Sequence, residues 1–281
     1  EMTSRDWSSD VCSSDLYKLL LATNDPAVVE AFSAVKWEEL GFKQPRVVST
    51  AEEALSSLRV NHADAVAIGL PKEQDDLLVE QLLEKNPMLP IMAVSTKPGV
   101  IESYAVELRR LLGRINADVS NDAFSTADLL KECRHEFFRA LMDGRATSEE
   151  DVLRHLRLIR SKMDPTKPCV VAELEIPADN DFLRGRWQYG SDRLEVALRN
   201  IFGVEAHGLR ILACVLPGDR IVLLGCPMLF HEGPDEDASI TGILSDHIRD
   251  SIEHVDEYMG IDLRIASIRV LPCLTALAHK D

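Results

Sequence analysis

The sequence predicts two mixed α/β domains in tandem, a doubly wound parallel sheet followed by a smaller α+β fold. Three observations carry this. The chain has 281 residues, too many for one ordinary domain and about right for two. Between residues 18 and 142, short apolar runs alternate five times with helix-patterned segments, the order of a parallel sheet with helices on both faces. After residue 168 the order changes to β-α-β-β-α-β, the ferredoxin-like split βαβ pattern. With 46% hydrophobic and 28% charged residues the chain reads as folded, and no run approaches the roughly 20 apolar residues that span a bilayer.

The first strand, 18–22, ends at Thr23-Asn24-Asp25-Pro26, where Asp25 is a helix cap and Pro26 a first helical residue. The helix runs to about Val35, and Trp37-Glu-Glu-Leu-Gly-Phe42 closes the unit on a glycine. A second strand at 46–49 leads into Thr50-x-x-Glu53, a capping box that opens a helix to about Leu58. Strand 64–70, helix 73–85, strand 89–95, helix 100–112 and a fifth strand at 115–119 follow. The strands are unbroken apolar runs, as suits a sheet covered on both sides. A last helix from Ser125 to Met142 places Leu129, Leu130, Cys133, Phe137 and Leu141 on one side.

Asp143-Gly-Arg145 breaks the chain, and Thr147-x-x-Glu150 caps a connector helix reaching about Met163, with Val152, Leu156 and Ile159 at helical spacing. Asp164-Pro-Thr-Lys-Pro168 is a linker by composition. Then come strand 169–176, helix 183–202, strands 209–216 and 220–226 joined by the tight turn Pro217-Gly-Asp219, helix 238–259 and strand 261–270. The expected organisation is a tail at 1–16, a first domain at 17–142, a helical connector at 143–168 and a second domain at 169–281.

Residues 1–16 read differently from the rest. From Asp6 to Leu16 the order matches, residue by residue, the translation of a common short-read sequencing adapter, so the segment is expected to be a non-native, disordered tail. It holds four acidic residues and one basic one, so removing it changes the net charge of −16 only to −13. A chain this acidic repels phosphate backbones, which excludes nucleic-acid binding through a broad basic face. Its six cysteines form no C-x-x-C and none stands at metal spacing from a histidine; they read as buried apolar groups in a reducing, cytoplasmic setting. No Walker or G-x-S-x-G motif occurs, and His207, His231 and His247 have no carboxylate at a catalytic spacing.

Several segments of the first half resemble the receiver domain of response regulators. Lys18-Leu-Leu-Leu-Ala-Thr-Asn-Asp-Pro26 is similar to the family's opening K-L-L-I-V-D-D-E-P. Trp37-Glu-Glu-Leu-Gly-Phe42 resembles a stretch typical of the YesN-type regulators, which join a receiver through a middle region to an AraC-type DNA-binding domain. Residues 63–70 and 89–95 resemble its third and fourth strands, and 117–124 falls where the family has D-Y-L-L-K-P-V. Aspartyl phosphorylation needs a carboxylate nucleophile, acids to hold Mg²⁺ and a lysine to balance the acyl phosphate. Here the metal positions are Thr23 and Asn24, the acceptor position is Gly69, and the lysine position is Asp122, followed by Ala123. Only Ser95 keeps its residue type. The resemblance therefore implies a pseudo-receiver that cannot run the usual chemistry.

The second half resembles a degenerate GGDEF cyclase fold. Residues 170–176 are similar to its first strand, Tyr189-Gly-Ser-Asp-Arg-Leu194 to the start of its long helix, and Leu216-Pro-Gly-Asp-Arg220 to the signature hairpin. A cyclase needs hairpin glycines and paired metal acids. This chain offers Gly218 and Asp219 in the hairpin and Glu175 near one metal position, with Pro177 near the other.

Together these readings imply the regulatory part of a bacterial transcription regulator, non-enzymatic and without cofactor or metal, acting in two-component signalling through protein–protein contacts. A sensor kinase or another signalling protein is the expected partner, with no membrane association. Family sequences run on past Asp281, and DNA is expected to be met only through that further domain. The apolar stripe of the Ser125 to Met142 helix is expected to form a homodimer or to dock the connector helix. The alternative is a small-molecule sensor with its ligand in the receiver pocket or the GGDEF-like cleft.

Overall fold

The computed structural model describes residues 16–119, 125–145, 148–177, 187, 189–218, 220–230 and 237–278. The chain divides into two compact units, with the boundary between Leu129 and Leu130.

In the first unit, β1 (Leu19–Thr23), α1 (Pro26–Ser33), β2 (Arg46–Val48), α2 (Ala51–Val60), β3 (Ala65–Gly69), α3 (Lys72–Lys85), β4 (Ile91–Met92) and α4 (Pro98–Val119) alternate strictly. The sheet is parallel with order β2-β1-β3-β4, its register fixed by Leu21↔Val47, Leu21↔Ala67 and Ala67↔Met92. Leu20, Ala22, Val66 and Ile68 pack with Ala54 of α2 and Leu78 and Leu82 of α3. The alternate residues Leu19, Leu21, Ala65 and Ala67 point to the other face and are equally buried. Both helix starts follow the sequence: Asp25 Oδ1 accepts from Ala27 N at 2.9 Å, and Thr50 Oγ1 accepts from Glu53 N at 3.2 Å. The Glu53 carboxylate reaches back to Ser49 N at 2.8 Å, one residue before the cap. Gly41 closes the α1 region with φ +85, and a Cβ there would lie 2.8 Å from Arg109 Nε on α4. The position therefore needs glycine for both conformation and space.

The expected fifth strand at 115–119 is absent; that segment is the last turn and a half of α4, a single 22-residue helix. The reason is periodicity. Ile101, Ala105, Leu108, Leu112 and Ile115 recur at three- and four-residue steps and are all buried, so the run read as a strand continues one helical stripe. Gly113 lies within this helix without interrupting it. Among the described residues the parallel sheet has four strands, and the expected 89–95 strand contracts to Ile91–Met92.

The second unit contains most of α5 (Thr126–Met142), then α6 (Glu149–Leu158), β5 (Cys169–Glu175), α7 (Gly190–Phe202), β6 (Glu205–Ala206), β7 (Leu209–Leu216), β8 (Arg220–Pro227), α8 (Asp237–Met259), β9 (Arg264–Leu271) and a closing 3-10 helix, Leu274–Ala278. The connector helix is capped by Ser148, whose Oγ accepts from Asp151 N at 3.1 Å; the expected cap Thr147 and the expected start of α7 at 183 lie outside the described residues. All pairings in the second sheet are antiparallel, in the order β6-β7-β8-β5-β9.

Side chains alternate between two cores. Val170, Ala172 and Leu174 of β5 face Leu194, Leu198 and Phe202 of α7 and Ile240, Leu244 and Ile248 of α8. Cys169 and Val171 face the other way, with Leu212, Cys214, Val222 and Leu224, toward Phe138, Leu141 and Met142 of α5, Val152 and Leu156 of α6, and Leu274 and Leu277. The later part of the stripe expected to join two chains, Phe137 and Leu141, thus packs within the second unit. Leu130, Phe138 and Leu141 are at most 2% exposed, and Phe137 stacks on His155 of α6 with ring centroids 5.2 Å apart. Docking of the connector helix, the second of the two expectations for this stripe, is the arrangement found. The compact units accordingly divide near Leu129 instead of at residue 142.

Candidate functional site

A parallel sheet gathers chemistry at the carboxyl ends of its strands, and four of the five receiver-type positions are described there. Thr23 closes β1 and Gly69 closes β3, paired in register. Thr23 is 1% exposed; its hydroxyl donates to the Gly69 carbonyl at 2.9 Å and accepts from Asp25 N at 3.2 Å. The side chain at the first metal position is therefore spent on holding two strand ends together. Asn24 and Asp25 are exposed, and the Asp25 carboxylate caps α1. Ser95 lies beyond β4 and its Oγ accepts from Lys97 N at 3.2 Å, a local turn contact. Asp122 and Ala123 lie outside the described residues.

The acceptor position is closed by packing as well as by residue type. A Cβ on Gly69 would sit 2.6 Å from Val94 Cγ2, 3.4 Å from Val94 Cγ1 and 3.3 Å from Thr23 Oγ1. Carbon atoms approach comfortably to only about 3.5–4.0 Å. Val94 thus occupies the space in which an acceptor side chain would begin. Sequence reasoning identified the missing carboxylate but not this second obstacle, because Val94 is an ordinary apolar residue until the strands are aligned.

The cyclase-type positions gather at one end of the second sheet, where Leu174 of β5 pairs with Ile221 beside the β7–β8 hairpin. Glu175 is exposed at the end of β5, opposite Arg264 of β9, and Pro177 follows half-buried. Gly218 turns the β7–β8 hairpin with φ +80 and open space around it, while Asp219 lies outside the described residues. Arg220 Nη2 donates to Glu173 Oε1 at 3.0 Å. Among the described residues no group of three His, Cys, Asp or Glu side chains is placed to hold a metal ion.

The structure also assembles a charge network that sequence reasoning missed. Glu195 of α7 is 2% exposed; it accepts from Arg139 Nη2 of α5 at 2.8 Å and from Val215 N of β7 at 2.9 Å. Arg199, one helical turn on, donates to Glu132 of α5 at 2.8 Å and lies 3.8 Å from Glu195. The Arg199 hydrogen bond holds the Glu132 carboxyl below its ordinary pKa. His135, 3% exposed beside them, is pushed down to about 3, by burial first and by the Arg199 charge next. Two guanidinium groups and two carboxylates with a neutral imidazole tie α5 to α7 and the sheet. The only sequence signal was Glu195 and Arg199 at i and i+4. Among the described residues no helix is long and apolar enough to cross a membrane. Compared with known proteins, the chain matches no family model and no curated protein.

Proposed function

We propose that this chain is a non-phosphorylatable, response-regulator-like signalling protein, the regulatory part of a bacterial transcription regulator, acting through protein–protein contacts. The observation that carries this is the closed acceptor position: Gly69 without a side chain, with Val94 and Thr23 in the space around it. The strand order β2-β1-β3-β4 supports a receiver relative, because it is the start of the 2-1-3-4-5 order of the doubly wound folds to which receivers belong. The antiparallel order β7-β8-β5-β9, with α7 and α8 packed on one face, supports a ferredoxin-like, GGDEF-related second unit. Pro177 at the second metal position and a hairpin with the single glycine Gly218 support its having no cyclase activity.

Acetyl phosphate with Mg²⁺ tests the first half of this reading. The expected result by intact-mass spectrometry is an unmodified chain; a hydroxylamine-labile phosphate adduct within 17–135 overturns it. For the second half, no cyclic product is expected from GTP with Mg²⁺ or Mn²⁺, and a product abolished by Glu175→Ala refutes the claim.

A further inference from the structure

At the end of the first sheet opposite Gly69, the starts of β1, β2 and β3 border a cleft of about 240 Å³ lined by Lys18, Leu19, Lys43, Gln44, Arg46, Asn61 and His62. The backbone fixes this grouping. Lys43 N donates to Tyr17 O at 2.8 Å and Asp64 N to Lys18 O at 2.8 Å, and Arg46 pairs in register with Leu20. Residues far apart in sequence are thereby held at one rim.

Three features of the lining point to an anion. First, the chain carries a net charge of −16, yet this rim gathers two lysines, an arginine and a histidine. Second, the acid beside them, Asp64, is already engaged: Oδ2 accepts from Lys18 N at 2.6 Å and Oδ1 lies 3.0 Å from His62 Nε2. It steadies His62 and leaves the lysine and arginine charges in excess. Third, Arg46, a half-buried residue at the start of β2, lines the cleft, and a guanidinium offers its donors in a planar fork that fits phosphate oxygens.

We propose that this cleft is a binding site for a small polyanion, a compact molecule with two adjacent phosphate-type groups. Arg46 grips one group, Lys18 and Lys43 supply charge to both, and the amides of Gln44 and Asn61 serve neutral oxygens. The volume falls below the roughly 300–1,000 Å³ of sites for drug-sized ligands, which sets the size class. A nucleic-acid strand is disfavoured, because the acidic remainder of the chain repels an extended phosphate backbone. The site goes beyond the signalling role proposed above and does not depend on it.

Inorganic pyrophosphate is the probe, titrated calorimetrically into the full chain at low ionic strength. Saturable one-to-one binding is expected, weaker for orthophosphate and weakening with added salt. Arg46→Gln should lower the affinity by roughly tenfold or more and Lys43→Gln by roughly threefold to tenfold, whereas Lys85→Gln on α3 should leave it unchanged. Lys43 is an exposed loop residue, so its variant decides the matter if Arg46→Gln fails to fold by circular dichroism. Absence of saturable heat at millimolar pyrophosphate overturns the proposal. Wild-type affinity in the Lys43→Gln variant, or equal weakening by Lys85→Gln, does the same by showing diffuse charge attraction only.

Discussion

Gly69→Ala should destabilise the first unit although it adds a single methyl group. The new carbon would stand 2.6 Å from Val94 Cγ2, about 1 Å inside a comfortable carbon–carbon contact. Val94 is β-branched and stiff at χ1, and its other methyl also lies within 3.4 Å, so rotation does not clear the space. Retreat on the opposite side is limited by Thr23, whose hydroxyl is tied to the Gly69 carbonyl at 2.9 Å. Overpacking of this kind costs about 1–3 kcal/mol. Val94→Ala alone removes two methyl groups from a half-buried position and should cost about 1 kcal/mol. In the double variant the small side chain at 94 makes room for the methyl at 69, so the combined loss should fall about 1–2 kcal/mol short of the sum. Urea unfolding followed by the fluorescence of Trp37, which is 2% exposed in the same unit, measures all three. A Gly69→Ala cost below about 0.5 kcal/mol, or additivity within about 0.3–0.5 kcal/mol, would refute the claim that Val94 fills the acceptor space.

Two further outcomes concern the second unit. His135 is held neutral in the fold with its pKa depressed to about 3, so the unfolded chain binds the extra proton between that value and about 6.5. Its contribution to stability is complete above about 6.5 and falls by up to about 1.4 kcal/mol per pH unit on acidification toward 3; urea titrations from pH 7 to 4 should show a shallower decline for His135→Met, and parallel declines would exclude the effect. Glu195→Ala leaves Arg139 and Val215 N without their buried acceptor and should cost about 3–5 kcal/mol. Glu173→Ala, which removes a half-exposed pair with Arg220, should cost under about 1 kcal/mol; equal losses in thermal melts would show that the buried network contributes nothing special.

Local signals in this sequence were legible because they act over a few residues. The Asp25 and Thr50 caps, the glycine at 41 and the turn at Gly218 all follow from short-range sterics and hydrogen bonding. The segment 115–119 was misread because a short apolar run fits a strand or one more helical turn equally well, and only the buried stripe from Ile101 to Ile115 decides between them. The stripe on α5 was visible, but apolarity does not name its partner; β-sheet residues tens of positions downstream do. At the candidate site the lost chemistry could be read from Gly69 alone, whereas the filling by Val94 required the strand register. The basic cleft had no motif at all, since Lys18, Arg46 and His62 meet only through strand pairing.

The allegiance of α5 also bears on how such a protein can be divided or inherited. A protease nick or recombination junction at the apparent seam after Met142 would carry Phe138, Leu141 and Met142 away from Val171, Leu212 and Leu224. The downstream piece would then show water a broad greasy sheet surface, and the upstream piece a helix with nothing beneath it. A junction opening at Ser125 keeps that helix with the sheet it seals. Any exchange of the front unit for another would therefore succeed only when α5 travels with the back unit, so the heritable module begins well upstream of the glycine break at 144.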